Sequence, residues 1–161
     1  MTDNLEELIK KYRDKGVFID SELLIFCIVC KTDIRLLGKT KITKQYNEND
    51  YILISEFIAA FNNKITSPHI LTETSDLLGE NNNFHATLQE EYINSVVEKN
   101  ILSVEIAKSE SFLRLGLADS AIIEISRDSY LVLTDDNDLY GYLSTKGIDA
   151  VKFSYLKQLF E

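Results

Sequence analysis

The sequence predicts an α/β fold: a three-layer α/β/α sandwich around a mainly parallel sheet, in one domain of 161 residues. Two observations carry this. Short apolar runs alternate with segments of helical spacing, and the first run, Val17-Phe18-Ile19, is apolar throughout. A strand without polar alternation is one covered on both faces, as in parallel sheets.

Leu5, Leu8, Ile9 and Tyr12 stand at helical spacing, so residues 1–16 form an amphipathic first helix that Gly16 can end. Val17 to Ile19 is the first strand, closed by Asp20, and Ser21 to Cys30 is a helix. A basic, irregular stretch follows through Tyr46, and Tyr51 to Phe61 reads as helix. Lys64-Ile65-Thr66 is a short strand, and Pro68 opens a helix to Leu78 with a core stripe of Ile70, Thr74, Leu77 and Leu78. Glu80 to Asn83 reads as loop, and Phe84, Leu88, Tyr92 and Val96 mark a further helix. Ile101 to Val104 is expected as strand, Ala118 to Ser126 as helix and Tyr130 to Leu133 as strand. A helix over Asp138 to Lys146 and a last strand over Ala150 to Phe153 complete the pattern.

Composition narrows the setting. Seventeen Lys and Arg against 26 Asp and Glu give a net charge of −9, while 45% hydrophobic residues exclude a disordered acidic tail. Such a surface repels bare nucleic acid and anionic membrane unless cations intervene. The start lacks a basic segment followed by an apolar run, and two cysteines make no disulfide framework. The expectation is a cytoplasmic protein with no membrane partner.

In a parallel sheet the ligand site lies at the carboxyl ends of the strands, and acids stand there. Asp20 closes the first strand, and Asp135, Asp136 and Asp138 follow Leu133-Thr134. Asp119 falls in the opening turn of its helix, and Glu73 lies at the edge of its helix's core stripe, with Asp76 turned further to solvent. Carboxylates converging on one cleft raise each other's pKa values unless a cation neutralises them. The chemistry that uses such a cluster is binding of Mg²⁺ or Mn²⁺ for attack on a phosphodiester.

At these same residues the sequence resembles the PIN-domain ribonucleases. Phe18-Ile19-Asp20-Ser21 and Pro68 to Leu78 look like the first two acidic motifs of that family, Leu115 to Ile122 like the third and Leu133 to Tyr140 like the fourth. They come in the family's order and span residues 17–153. The resemblance implies a metal-dependent endoribonuclease in which Asp20, Glu73, Asp119 and Asp136 line a Mg²⁺ or Mn²⁺ site. It implies Asp138 as an auxiliary ligand, with Thr134, Asp135 and Glu22 around the ligands. Glu22 departs from the pattern, because the family usually has a small polar residue there. Many relatives are toxins, often dimeric and inhibited by a small antitoxin, so an antitoxin or other inhibitory protein and a homodimer are the partners implied beside RNA. The extra first helix makes this chain longer than the minimal toxin pattern.

Other signals are weaker. Cys27 and Cys30 match a CxxC spacing but lie in an apolar helical run, which favours buried small hydrophobes. Gly38-Lys39-Thr40 ends like a phosphate-binding loop, but Asp33 stands where the first glycine is required. Neither His69 nor His85 has a nucleophile partner in a recognisable motif. Lys31, Arg35, Lys39, Lys41 and Lys44 form a cationic stretch that is either a solvated face or a phosphate-contact surface, and Arg114 allows the same two readings. Two rivals remain: an inactive PIN-like scaffold serving as an interaction module, and a phospho-acceptor receiver domain, which leaves the Glu73 motif unexplained.

Overall fold

The computed structural model describes residues 2–161. Helix α1 (Thr2–Tyr12) leads into β1 (Val17–Ile19), α2 (Ser21–Thr32), α3 (Glu48–Ala59) and β2 (Lys64–Thr66). Then come α4 (Pro68–Leu77), α5 (Asn82–Thr87), a π-helical turn at Leu88–Ile93 and β3 (Val96–Glu98). Helices α6 (Ser103–Ile106) and α7 (Phe112–Ser126), β4 (Leu131–Thr134), α8 (Asn137–Thr145), β5 (Ala150–Lys152) and α9 (Phe153–Leu159) complete the chain. The five strands pair in parallel in the order β3-β2-β1-β4-β5, with Phe18 opposite both Ile65 and Val132. With helices on both faces this is the three-layer α/β/α sandwich expected from the sequence. Among the described residues no helix is long and apolar enough to cross a membrane.

Burial explains the elements that agree. Val17 to Ile19, Leu131 to Leu133 and the run from Leu23 to Cys30 are all buried, so β1, β4 and α2 form the middle of the core. The ends of the helices follow from caps: Asn47 and Asp50 form a reciprocal capping box on α3, and Ser67 accepts from the Ile70 amide at the start of α4.

Four expectations are corrected. The third strand is Val96–Glu98 rather than Ile101 to Val104; the π-helical turn ends the preceding helix before Val96, which then pairs with Lys64. As an edge strand with Val97 37% exposed, it lacks a strong apolar signature. Asn81 caps α5 where only a loop was expected. Helix α7 begins at Phe112 and is broken at Gly116, whose φ of 83° starts a second helical segment. Phe153 leaves the last strand to open α9, which buries Phe153 and Leu156.

Gly16 turns the chain from α1 into β1 at φ 136°, and a Cβ there would lie 2.9 Å from Ile65 Cγ1 and 3.0 Å from the Asn63 carbonyl oxygen. Gly16→Ala is expected to destabilise the fold by about 2 kcal/mol in urea unfolding. An unchanged midpoint would show that the turn tolerates a side chain.

Candidate active site at the carboxyl ends of the central strands

The chain leaves β1 toward β2 and leaves β4 toward β5, in opposite directions across the sheet. The crevice therefore opens between the carboxyl ends of β1 and β4. Asp20 and Asp136 stand at those two ends because each caps the helix that follows its strand. Asp20 accepts from the Ser21 amide at 2.8 Å, and Asp136 accepts from the Leu139 amide at 2.8 Å.

Thr134, fully buried at the end of β4, joins the two acids. Its hydroxyl donates to Asp20 Oδ2 at 2.6 Å and accepts from the Asp136 amide at 3.0 Å. On the β2 side of Asp20, the Ser21 hydroxyl at the start of α2 donates to Glu73 Oε1 of α4. Glu73 thus turns inward from α4 while Asp76 is exposed, as the helical angle predicts. Within that stripe, Ile70, Thr74 and Leu78 are buried, but Leu77 is 51% exposed. Asp119 is partly buried one turn beyond Gly116, in the opening of the second segment of α7.

Electrostatics ties these acids together. Burial pushes the Asp20 carboxyl up to about 6, against the hydrogen bonds from Thr134 and Ser21, and Glu73 and Asp136 push it further. Burial also pushes Asp119 up to about 8, followed by the charges of Asp20, Asp136, Glu73 and Glu22. Glu22 is exposed on the first turn of α2, and its carboxyl is raised by desolvation and by Asp136, Asp135 and Glu73. The four acids of the motifs, with Glu22, therefore share one field.

The remaining candidates are placed differently. Asp138 is exposed on α8 and is not among the charges that raise Asp20, Asp119 or Glu22. Asp135 points into another network: it accepts from the Tyr46 hydroxyl at 2.9 Å and from the Ser154 amide at 2.9 Å. Arg35 is exposed and folded back on Asp33 at 2.9 Å, whereas Lys39, Lys41 and Arg114 are exposed with no carboxylate within 4.0 Å among the described residues. Ser21 and Tyr46 were not singled out from the sequence. The signal for Ser21 was a hydroxyl directly after the first acid.

Cys27 and Cys30 are free and buried, with burial pushing both thiols up to about 12, which suits packing rather than redox or metal chemistry. His69 Nε2 is 2.8 Å from the Ser103 hydroxyl, but the buried His69 Nδ1 has no partner among the described residues to orient the ring, and His85 Nε2 is 2.7 Å from the Gly79 carbonyl.

The donor set suits a hard cation, since every acid in the shared field offers carboxylate oxygen and no thiol or imidazole joins it. Among the described residues no three His, Cys, Asp or Glu stand as a ready-made metal cage. No protein-family model matches the chain, and no curated protein matches it.

Proposed function

We propose that the chain is a divalent-metal-dependent endoribonuclease of the PIN-domain kind, acting on single-stranded or looped RNA. The observation that carries this reading is the pair Asp20 and Asp119, raised to about 6 and about 8 first by burial and then, for both, by the charges of Glu73 and Asp136. Carboxylates crowded at a ligand-binding crevice call for a cation. Asp20, Glu73, Asp119 and Asp136 would hold it, with Asp138 at the periphery. A bound Mg²⁺ or Mn²⁺ would neutralise the acids, polarise the phosphodiester and lower the pKa of water at the site.

The chain's own residues set the positions. Thr134 orients Asp20 and Asp136 with one hydroxyl, and Ser21 does the same for Glu73. Each Asp20 oxygen accepts one hydrogen bond and keeps a second lone pair for the crevice. Asp119, raised to about 8, would carry its proton at neutral pH in the metal-free chain and would have to give it up to serve as a ligand. Unstacked strands fit such a crevice better than a duplex. Lys39, Lys41 and Arg114 are the cations available for the backbone phosphates.

The test incubates RNA with Mn²⁺ and then with excess EDTA. Internal cleavage that stops on chelation is expected; intact RNA in both Mn²⁺ and Mg²⁺ would overturn the reading. One observation favours a second reading, an inactive PIN-like interaction module: exposed Glu22 adds charge beside the motif acids. Tight Mn²⁺ binding without cleavage, alongside a stable protein partner, would favour it. A toxin role, with an antitoxin or in a homodimer, is a narrower form of the first reading. Growth arrest on induced expression, relieved by a neighbouring open reading frame, would support it.

A further inference from the structure

A groove of about 480 Å³ with Glu22 at one end lies between α2, the end of α4 and the loop at residues 40–45. Its course follows from helical periodicity. Glu22 and Ile25 lie three residues apart on α2, and Leu77 lies one turn beyond Glu73 on α4. Glu22 and Glu73 are therefore on the same two helices as the groove, whereas Asp119 and Asp136 stand on α7 and at the start of α8. Ile25 and Phe84 form the buried apolar wall, exposed Lys41 and Gln45 stand on the rim, and Glu22 borders the acidic end.

Leu77 is the informative residue. Its neighbour Leu78 takes the core position at 5% exposure, which leaves Leu77 51% exposed on the groove wall. A half-exposed leucine opposite buried apolar residues offers a flat ligand a place to leave water. The rim states what else that ligand carries. Lys39, Lys41 and Lys44 are exposed on one loop, and none has a carboxylate within 4.0 Å among the described residues, in a chain of net charge −9. Lys41, the one of the three that lines the groove, stands unneutralised above an apolar floor and matches a group that is flat and apolar at one end and anionic at the other. Gln45, able to donate and accept, suits the edge of a heterocycle.

We propose that this groove takes an unstacked nucleobase of the RNA strand, one face packed on Leu77, with the adjoining phosphate held by Lys41. The inference rests on the nuclease reading for its substrate class and deepens it: the strand is gripped by a base beside the acids, so paired RNA is excluded.

The experiment measures fluorescence anisotropy of a short labelled single-stranded RNA in EDTA, where cleavage plays no part. Leu77→Asp is expected to weaken binding about tenfold, and Leu77→Met to stay within about twofold of the wild type. AMP or UMP should compete with the RNA, and ribose 5-phosphate should not. Wild-type affinity in Leu77→Asp, equal competition by ribose 5-phosphate, or no RNA binding by the wild type would each overturn the base groove. Binding lost in Leu77→Asp, in a protein whose wild type never cleaves RNA with Mn²⁺, would uphold the groove and remove the nuclease reading. Because Leu77 is half-exposed, its variants keep the fold, and their thermal melts check this.

Discussion

Asp119→Asn is expected to lower RNA cleavage about a thousandfold and, in the same protein, to raise the stability of the metal-free fold. The first effect follows from losing one anionic oxygen donor of four. The second follows from linkage. The folded state holds the Asp119 proton up to about pH 8, whereas the unfolded chain releases it near the ordinary value of 3.8. Between those values the folded state binds more protons, so stability falls as pH rises; the contribution is fully present below about pH 4 and lost by about pH 8. Asparagine is neutral throughout and escapes that loss. The expected gain is several kcal/mol at most at pH 8 and close to zero at about pH 4, read by urea unfolding in EDTA. Mn²⁺ should act the opposite way on the wild type, stabilising it more at pH 8 than at pH 5, because it favours the ionised acids. Equal destabilisation of Asp119→Asn at both pH values would show that the side chain matters for packing alone.

Thr134→Val is expected to cost about 3 kcal/mol, although the two side chains have nearly the same shape. Its hydroxyl is fully buried and serves two partners, Asp20 Oδ2 at 2.6 Å and the Asp136 amide at 3.0 Å. Valine leaves a buried carboxylate oxygen and a backbone N–H without partners, and that desolvation outweighs the retained methyl contacts. It also removes the largest influence opposing the rise of the Asp20 carboxyl. The pH profile of any metal-dependent activity should therefore move toward higher pH. Thr134→Ser keeps the hydroxyl and should recover most of both effects. A valine variant with wild-type stability and an unmoved profile would remove Thr134 from the account.

The fold was legible where burial is one-sided in its demands. Val17 to Ile19 and Leu131 to Leu133 are fully covered, and no pattern but continuous apolarity satisfies such a strand. Val96–Glu98 was missed because an edge strand with half-exposed residues needs no such run, and the helix-like spacing of Val96 pointed elsewhere. Helix α9 was missed because a short helix burying only Phe153 and Leu156 leaves a faint periodicity. The motif acids were legible for a local reason: in a strand-to-helix turn the same carboxylate can end the strand and cap the helix, as Asp20 and Asp136 do. The bond from Ser21 to Glu73, 52 residues apart, was not, because nothing local to either residue requires it. Leu77 shows the limit of a stripe drawn at about 100° per residue: it gives the direction of a side chain and not whether a neighbouring helix covers it.

The network around Asp135 ties distant parts of the chain to one another. Its carboxylate joins Tyr46, at the end of the lysine-bearing loop, to the Ser154 amide in the first turn of α9. Tyr46 stacks on Phe26 at 4.4 Å between ring centroids, and Lys157 of α9 pairs with buried Asp50 at 3.0 Å. The last helix is thus a fastener for a segment more than a hundred residues earlier in the chain. Opening either the loop or the helix would cost Asp135 one of its two partners, so the amides of both are expected to exchange with solvent together, as a single foldon.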